Sequence, residues 1–167
     1  MKRICLLIAL SLLGRNAFCQ GNVSIGHAQL NIGVGLSEYG TPVYLGVEYG
    51  AIRNVSIGGE LSFRSYNEYW GQYYYKRNIT GISANANYHF NNILLIPSQF
   101  DFYAGLNLGF YNWSSPDASY YGNHSSGLGL GAQIGGRYYF NKKFGINLEF
   151  GGGNAFSGGK VGLTLKL

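Results

Sequence analysis

Charge is scarce in this chain. Asp, Glu, Lys and Arg together make up 11% of its 167 residues, against about 25% in an ordinary water-soluble domain. Something other than water is therefore expected to cover much of the surface. Cysteine occurs only as Cys5 and Cys19. If the first nineteen residues are removed, no disulfide and no thiol ligand remains, and stability has to come from a hydrogen-bonded sheet. Long apolar runs are missing too. Beyond the start of the chain nothing approaches the roughly 20 residues that a membrane helix needs, so only strands closed on themselves could cross a bilayer. Strong basic charge is also lacking. The formal net charge is +5, and loss of Lys2, Arg3 and Arg15 leaves nine basic against seven acidic residues. A clustered basic surface for nucleic acid has no support in these numbers.

The first residues read as a leader. Lys2 and Arg3 give a positive start, Ile4 to Leu13 are apolar but too few to span a bilayer, and Ala17-Phe18-Cys19 is a small-x-small cleavage pattern. This predicts a signal peptide over residues 1–19 and one domain over 20–167. Acylation of Cys19 is the competing reading of the same segment, and bulky Phe18 argues against it.

Past the leader, the chain alternates. Spans near 29–37, 43–50, 55–66, 79–90, 100–112, 125–140, 144–151 and 160–167 are oily on one parity and small or polar on the other. That period of two is the mark of strands with unlike faces. No Asp, Glu, Lys or Arg falls on the oily parity, which includes Ile32, Leu106, Ile146, Leu148 and Leu163. The other parity mixes glycines with Glu48, Glu60, Arg64, Asp101, Arg137, Glu149 and Lys166. The expected fold is all-β, an eight-stranded antiparallel transmembrane β-barrel. An even strand count lets the sheet close and lose its edges. A barrel of this size has an interior just wide enough for side chains. Glycines would leave room for Arg and Tyr, and the seven charged residues would form a buried network plugging the lumen.

The connections are expected to alternate. Those at 51–54 and 141–143 are short, whereas 67–78, 113–124 and 151–159 are longer, as in outer-membrane barrels with short periplasmic turns and long outer loops. The connection at 38–42 is tight and breaks that pattern. So does 91–99, whose Ile93, Leu94, Leu95 and Ile96 could lengthen the strands or lie in the membrane interface. Tyr49, Tyr88, Phe90, Phe100, Phe102, Tyr138, Phe140 and Phe144 fall at the periplasmic ends of their strands on the oily parity, as an interfacial girdle would require.

Two stretches carry a family resemblance: DFYAGLNLGF at 101–110, and GAQIGGRYYFNKKFGINLEF at 131–150. They resemble the small outer-membrane β-barrels of the OmpA/OmpX-like, porin-like superfamily, in which a Gly-Gly-Arg-aromatic strand, a polar turn and a Gly-x-x-x-Glu-aromatic strand form a hairpin near the carboxyl end. The resemblance implies a bacterial outer-membrane location and contact with outer-membrane lipid and lipopolysaccharide. It also implies handling by the outer-membrane insertion machinery, although the last residue here is Leu167 where the family often has an aromatic.

Candidate sites divide into three. Tyr69, Trp70, Tyr73, Tyr74, Tyr75, Trp113, Tyr120 and Tyr121 are exposed aromatics mixed with Asn, Gln and basic residues, a set suited to stacking on a glycan or seating a protein partner. His124 and Ser126 resemble the His-x-Ser pair of the outer-leaflet lipid A deacylases, in which imidazole activates a hydroxyl. No carboxylate is evident to orient that ring, and a Gly- and Ser-rich loop base explains the pair better. His89 points inward as a satisfied lumen histidine, His27 precedes the first strand, and neither metal nor other cofactor is expected. The sequence thus supports a non-enzymatic barrel with a structural or surface-recognition role. The alternatives are a lipid A deacylase and a secreted soluble β-sandwich, the latter short of charge on its second face.

Overall fold

The computed structural model describes residues 23–37, 40–70, 73–115, 126–154 and 157–167. Tyr120, Tyr121 and His124 lie outside them, as do the predicted leader and the side chains of Tyr69, Trp70, Tyr73 and Tyr74. Eight strands succeed one another: β1 (Ala28–Ser37), β2 (Val43–Ile52), β3 (Val55–Trp70), β4 (Tyr73–His89), β5 (Phe100–Ser114), β6 (Gly127–Tyr139), β7 (Phe144–Gly153) and β8 (Gly158–Lys166). Each pairs antiparallel with its sequence neighbours, and β8 pairs with β1 to close the barrel. Gln29 therefore stands opposite Glu48 on one side and Lys166 on the other.

The two faces divide as the alternation requires. Leu106 and Leu148 on the outer face are 63% and 50% exposed, whereas Asp101 and Arg137 on the inner face are 0% and 3% exposed. This inverts a water-soluble protein, in which ionised side chains are almost never buried and large apolar patches are rare. In water each bare Leu or Ile would forgo about 1.5–3 kcal/mol of transfer free energy. The outer surface instead suits hydrocarbon, and the soluble-sandwich alternative, which needs the oily face as its core, does not hold.

One end of the barrel, the terminal end, carries both ends of the described chain and the connections β2–β3, β4–β5 and β6–β7. The opposite loop end carries the other four connections. At the terminal end the β2–β3 turn is tight because Asn54 takes φ 63°, a left-handed conformation that Asn tolerates. Rings crowd its outer rim. Tyr88 and Phe90 have centroids 5.4 Å apart, Phe100 and Tyr138 5.1 Å, and Tyr138 and Phe140 5.4 Å.

Three expectations about the connections fail. Most of 151–159 is strand and not a long loop, because β7 runs to Gly153 and β8 begins at Gly158. Residues 67–70 and 73–78 are strand and not loop: β3 and β4 run on, pairing Glu68 with Tyr75, Tyr69 with Tyr74 and Trp70 with Tyr73. Aromatic residues favour strands, and Asn67, Glu68 and Asn78 do not interrupt these two. The apolar run at 93–96 does not lengthen β4 or β5 either. Ile93 and Leu94 N–H both donate to the Phe90 carbonyl, at 3.1 and 2.9 Å, and Ile96 N–H donates to the Asn91 carbonyl at 3.0 Å, giving a compact turn.

Candidate functional site: a sealed lumen beneath an open cup

Inward residues from several strands meet in the terminal half of the lumen. At its centre the Arg137 guanidinium, from β6, bridges two carboxylates: it bonds Glu48 from β2 and reaches Asp101 of β5 at 2.8 Å. The His89 ring, from β4, spans the same two acids. Its Nδ1 lies 2.7 Å from Asp101 and its Nε2 3.3 Å from Glu48. Gln29 and Asn87 donate to Glu48 at 3.0 and 3.3 Å, and Ser56 also bonds it. Tyr139 donates to Gln29 at 2.9 Å, and Gln133 to Asn87 at 2.7 Å. Arg137 Nε is left without a hydrogen-bond partner, but the two acids face two basic side chains, and amides and a hydroxyl meet further lone pairs of Glu48. A buried ionic cluster is tolerable only on those terms.

Large rings complete the seal, and paired glycines make room for them. A Cβ on Gly135, opposite Tyr103, would stand 2.3 Å from that ring; one on Gly145, opposite Tyr139, would stand 2.9 Å from its ring. Gly81 and Gly33 serve Tyr111 and Tyr44 likewise. The room is thus taken by the directly paired neighbour and not from across the lumen. Arg137 lies over the Tyr103 ring at 4.2 Å, and Lys166 over Tyr139 at 3.8 Å. Between this floor and the layer above, the void is only about 20 Å³, room for one water.

A second ionic layer lies nearer the loop end. Lys160 Nζ sits 2.7 Å from both Glu60 and Glu149, and Tyr103 donates to Glu149 at 2.8 Å. The cation between these acids is therefore Lys160, which was not in the expected set, while Arg64 reaches the Ser37 hydroxyl at 2.9 Å. Above this layer opens a cup of about 80 Å³. Its walls are unlike: Arg64, Ser62, Asn85 and Tyr111 line one side, and Gly129, Gly131, Gly151 and Gly153 the other.

Sequence reasoning missed Gln29, Ser56 and Lys160. Each shares the inward parity of its strand, alongside Gly33, Gly58 and Thr164 respectively, and each falls toward a strand end where the parity pattern is read from few residues. Ser56 also has a catalytic look, because its Oγ lies 2.9 Å from His89 Nε2 while His89 Nδ1 faces Asp101. Nucleophile, base and orienting acid stand in the order of a hydrolase triad. All three are buried, however, and neither the cup nor the void below it reaches Ser56. The arrangement is a structural one.

The other expected residues are dispersed. Trp113 is half-buried on the inner side of β5, edge-on to Tyr66 at 6.4 Å with the Arg77 guanidinium 5.9 Å above its ring, so it packs within the wall and is not freely exposed. Tyr75 is half-buried on β4. Ser126 is exposed, and its hydroxyl both donates to Asn112 Oδ1 and accepts from Trp113 N–H, each at 3.0 Å.

No family model matches the chain, and no curated protein matches it. Solved structures do. The outer-membrane protein OprG from Pseudomonas aeruginosa superposes with a TM-score of 0.67 at 13% identity, covering 89% of this chain and 99% of that one. The N-terminal β-barrel domain of Pseudomonas aeruginosa OprF gives 0.62 at 15% identity, over 86% and 98%. Ail, the attachment invasion locus protein of Yersinia pestis, in complex with the heparin analogue sucrose octasulfate, gives 0.54 at 13% identity, over 86% and 100%. The fold is that of the small eight-stranded outer-membrane β-barrels, as the sequence led one to expect.

Proposed function

We propose that the chain is an integral bacterial outer-membrane barrel that conducts nothing and presents a recognition surface at its loop end, without enzymatic activity. One observation carries this reading: apolar side chains cover the outside while the inside is closed by a buried, densely paired ionic floor. Outer-membrane lipid and lipopolysaccharide would surround the belt, and the outer-membrane insertion machinery would deliver the chain after removal of residues 1–19. With the terminal end on the periplasmic side, the long β3–β4 hairpin and the cup face outward. The likeness to Ail makes a sulfated saccharide the first probe for a glycan partner, with a protein ligand as the other class.

Membrane fractionation with heat-modifiable gel mobility tests the first part. A soluble chain, or one whose mobility is unchanged by boiling, would sink it. Binding of sucrose octasulfate to barrels carrying Trp70→Ala, Tyr73→Ala or Tyr74→Ala tests the second, and unchanged binding removes the hairpin as the recognition site. The deacylase alternative predicts altered lipid A acylation on expression that is lost in Ser126→Ala.

A further inference from the structure

The three connections at the terminal end differ in kind. The β2–β3 turn offers Arg53 and Asn54, and the β6–β7 turn offers Asn141, Lys142 and Lys143. The β4–β5 connection instead presents Ile93, Leu94 and Leu95, which are 63%, 63% and 86% exposed. This is not slack chain free to tuck them away. Asn91 Nδ2 donates to the Phe100 carbonyl at 2.6 Å and its Oδ1 accepts from Phe102 N–H at 3.2 Å; Phe100 N–H donates to the Pro97 carbonyl at 2.9 Å. The side chain of Asn92 also bonds that of Asn54 in the neighbouring turn. A turn pinned at both ends thus holds three large aliphatic side chains outward.

Its flanks identify what meets them. Phe90 leads into the turn with its ring against Tyr88, and Phe100 leaves it with its ring against both Phe102 and Tyr138. The turn is therefore continuous with the apolar belt through aromatic rings of the kind that settle at bilayer interfaces. We infer that the β4–β5 turn is a membrane anchor, with Ile93, Leu94 and Leu95 seated among lipid headgroups and upper acyl chains while the two polar turns at the same end stay in water. Insertion of apolar side chains into that zone is favourable in proportion to the area they bury. The inference rests on the membrane-barrel reading and adds an attachment at the β4–β5 turn.

The test uses the full chain with Cys5→Ser and Cys19→Ser, in which every other position is free of thiol. Single cysteines at Leu94, Leu95, Lys142 and Leu106, spin-labelled after refolding into phosphatidylcholine vesicles, are compared by collision with oxygen, which concentrates in lipid, and with a water-soluble nickel chelate. All four sites are exposed, so labelling leaves the packing intact. The expected result is an oxygen-to-nickel accessibility ratio at 94 and 95 several-fold above that at 142, with 106 higher still. A ratio at 94 and 95 equal to that at 142, with 106 lipid-exposed, overturns the anchor while leaving the barrel in the membrane. A label at 106 that meets the chelate freely overturns the membrane reading itself and the anchor with it.

Discussion

The two halves of the lumen use the same residue types to opposite ends. In the terminal half, glycines face tyrosines, which fill the space they leave, and carboxylates are bridged by Arg137 and His89 until almost no void remains. In the loop half Gly33 and Gly81 still face Tyr44 and Tyr111, but Gly151 and Gly153 would meet mainly backbone atoms if given a Cβ, no ring lies over them, and the cup stays open on that side. A glycine in such a barrel is thus either a socket or a wall, and only its paired partner tells which. The closed half specifies the structure, and the open half offers space to the outside.

The sharpest way to break this contrast is Arg137→Met. It leaves Glu48 and Asp101 with His89 as their one basic partner in a buried site; breaking a buried pair typically costs about 3–5 kcal/mol, and urea unfolding in lipid vesicles should show a loss approaching that size. Next comes Gly135→Ala, which drives a methyl into the buried Tyr103 ring. Overpacking of this kind costs about 1–3 kcal/mol, while Gly127→Ala, with nothing within 4 Å, should change stability by less than about 0.5 kcal/mol in the same titration. Lys160→Met in the half-open layer should cost less than Arg137→Met, because its side chain is about a quarter exposed and water can re-solvate Glu60 and Glu149. Equal losses for the two would erase the distinction between floor and cup. The smallest effect is electrical: the unaltered barrel should show no steady conductance in planar bilayers, and a stable large open state would contradict the sealed floor.

The fold was legible because alternation survives in every strand. Ile32, Leu106, Ile146, Leu148 and Leu163 each point to lipid, and Glu48, Asp101 and Arg137 each point inward. Parity is a local property, so a single sequence carries it. Pairing is not local. That Lys160, rather than Lys166, stands between Glu60 and Glu149 depends on how far each strand is staggered against the next, and no spacing within one strand encodes that. The extension of β3 and β4 was obscured for another reason: Asn and Glu beside aromatic residues read as loop, although Tyr and Trp favour strands and the backbone pairing runs on through them. Trp113, expected at an exposed tip, turned out to be held by Tyr66 and Arg77.

The seam between β1 and β8 joins the two ends of the described chain, with Leu167 N–H donating to the Ala28 carbonyl at 2.9 Å. Contacts so distant in sequence form slowly, and until the last strand arrives both β1 and β7 present raw edges ready to pair with any other chain. A nascent molecule lacking only its final nine-residue strand would therefore be not a slightly weaker barrel but an open, self-adhesive ribbon. Closing the circle is what removes both edges at once.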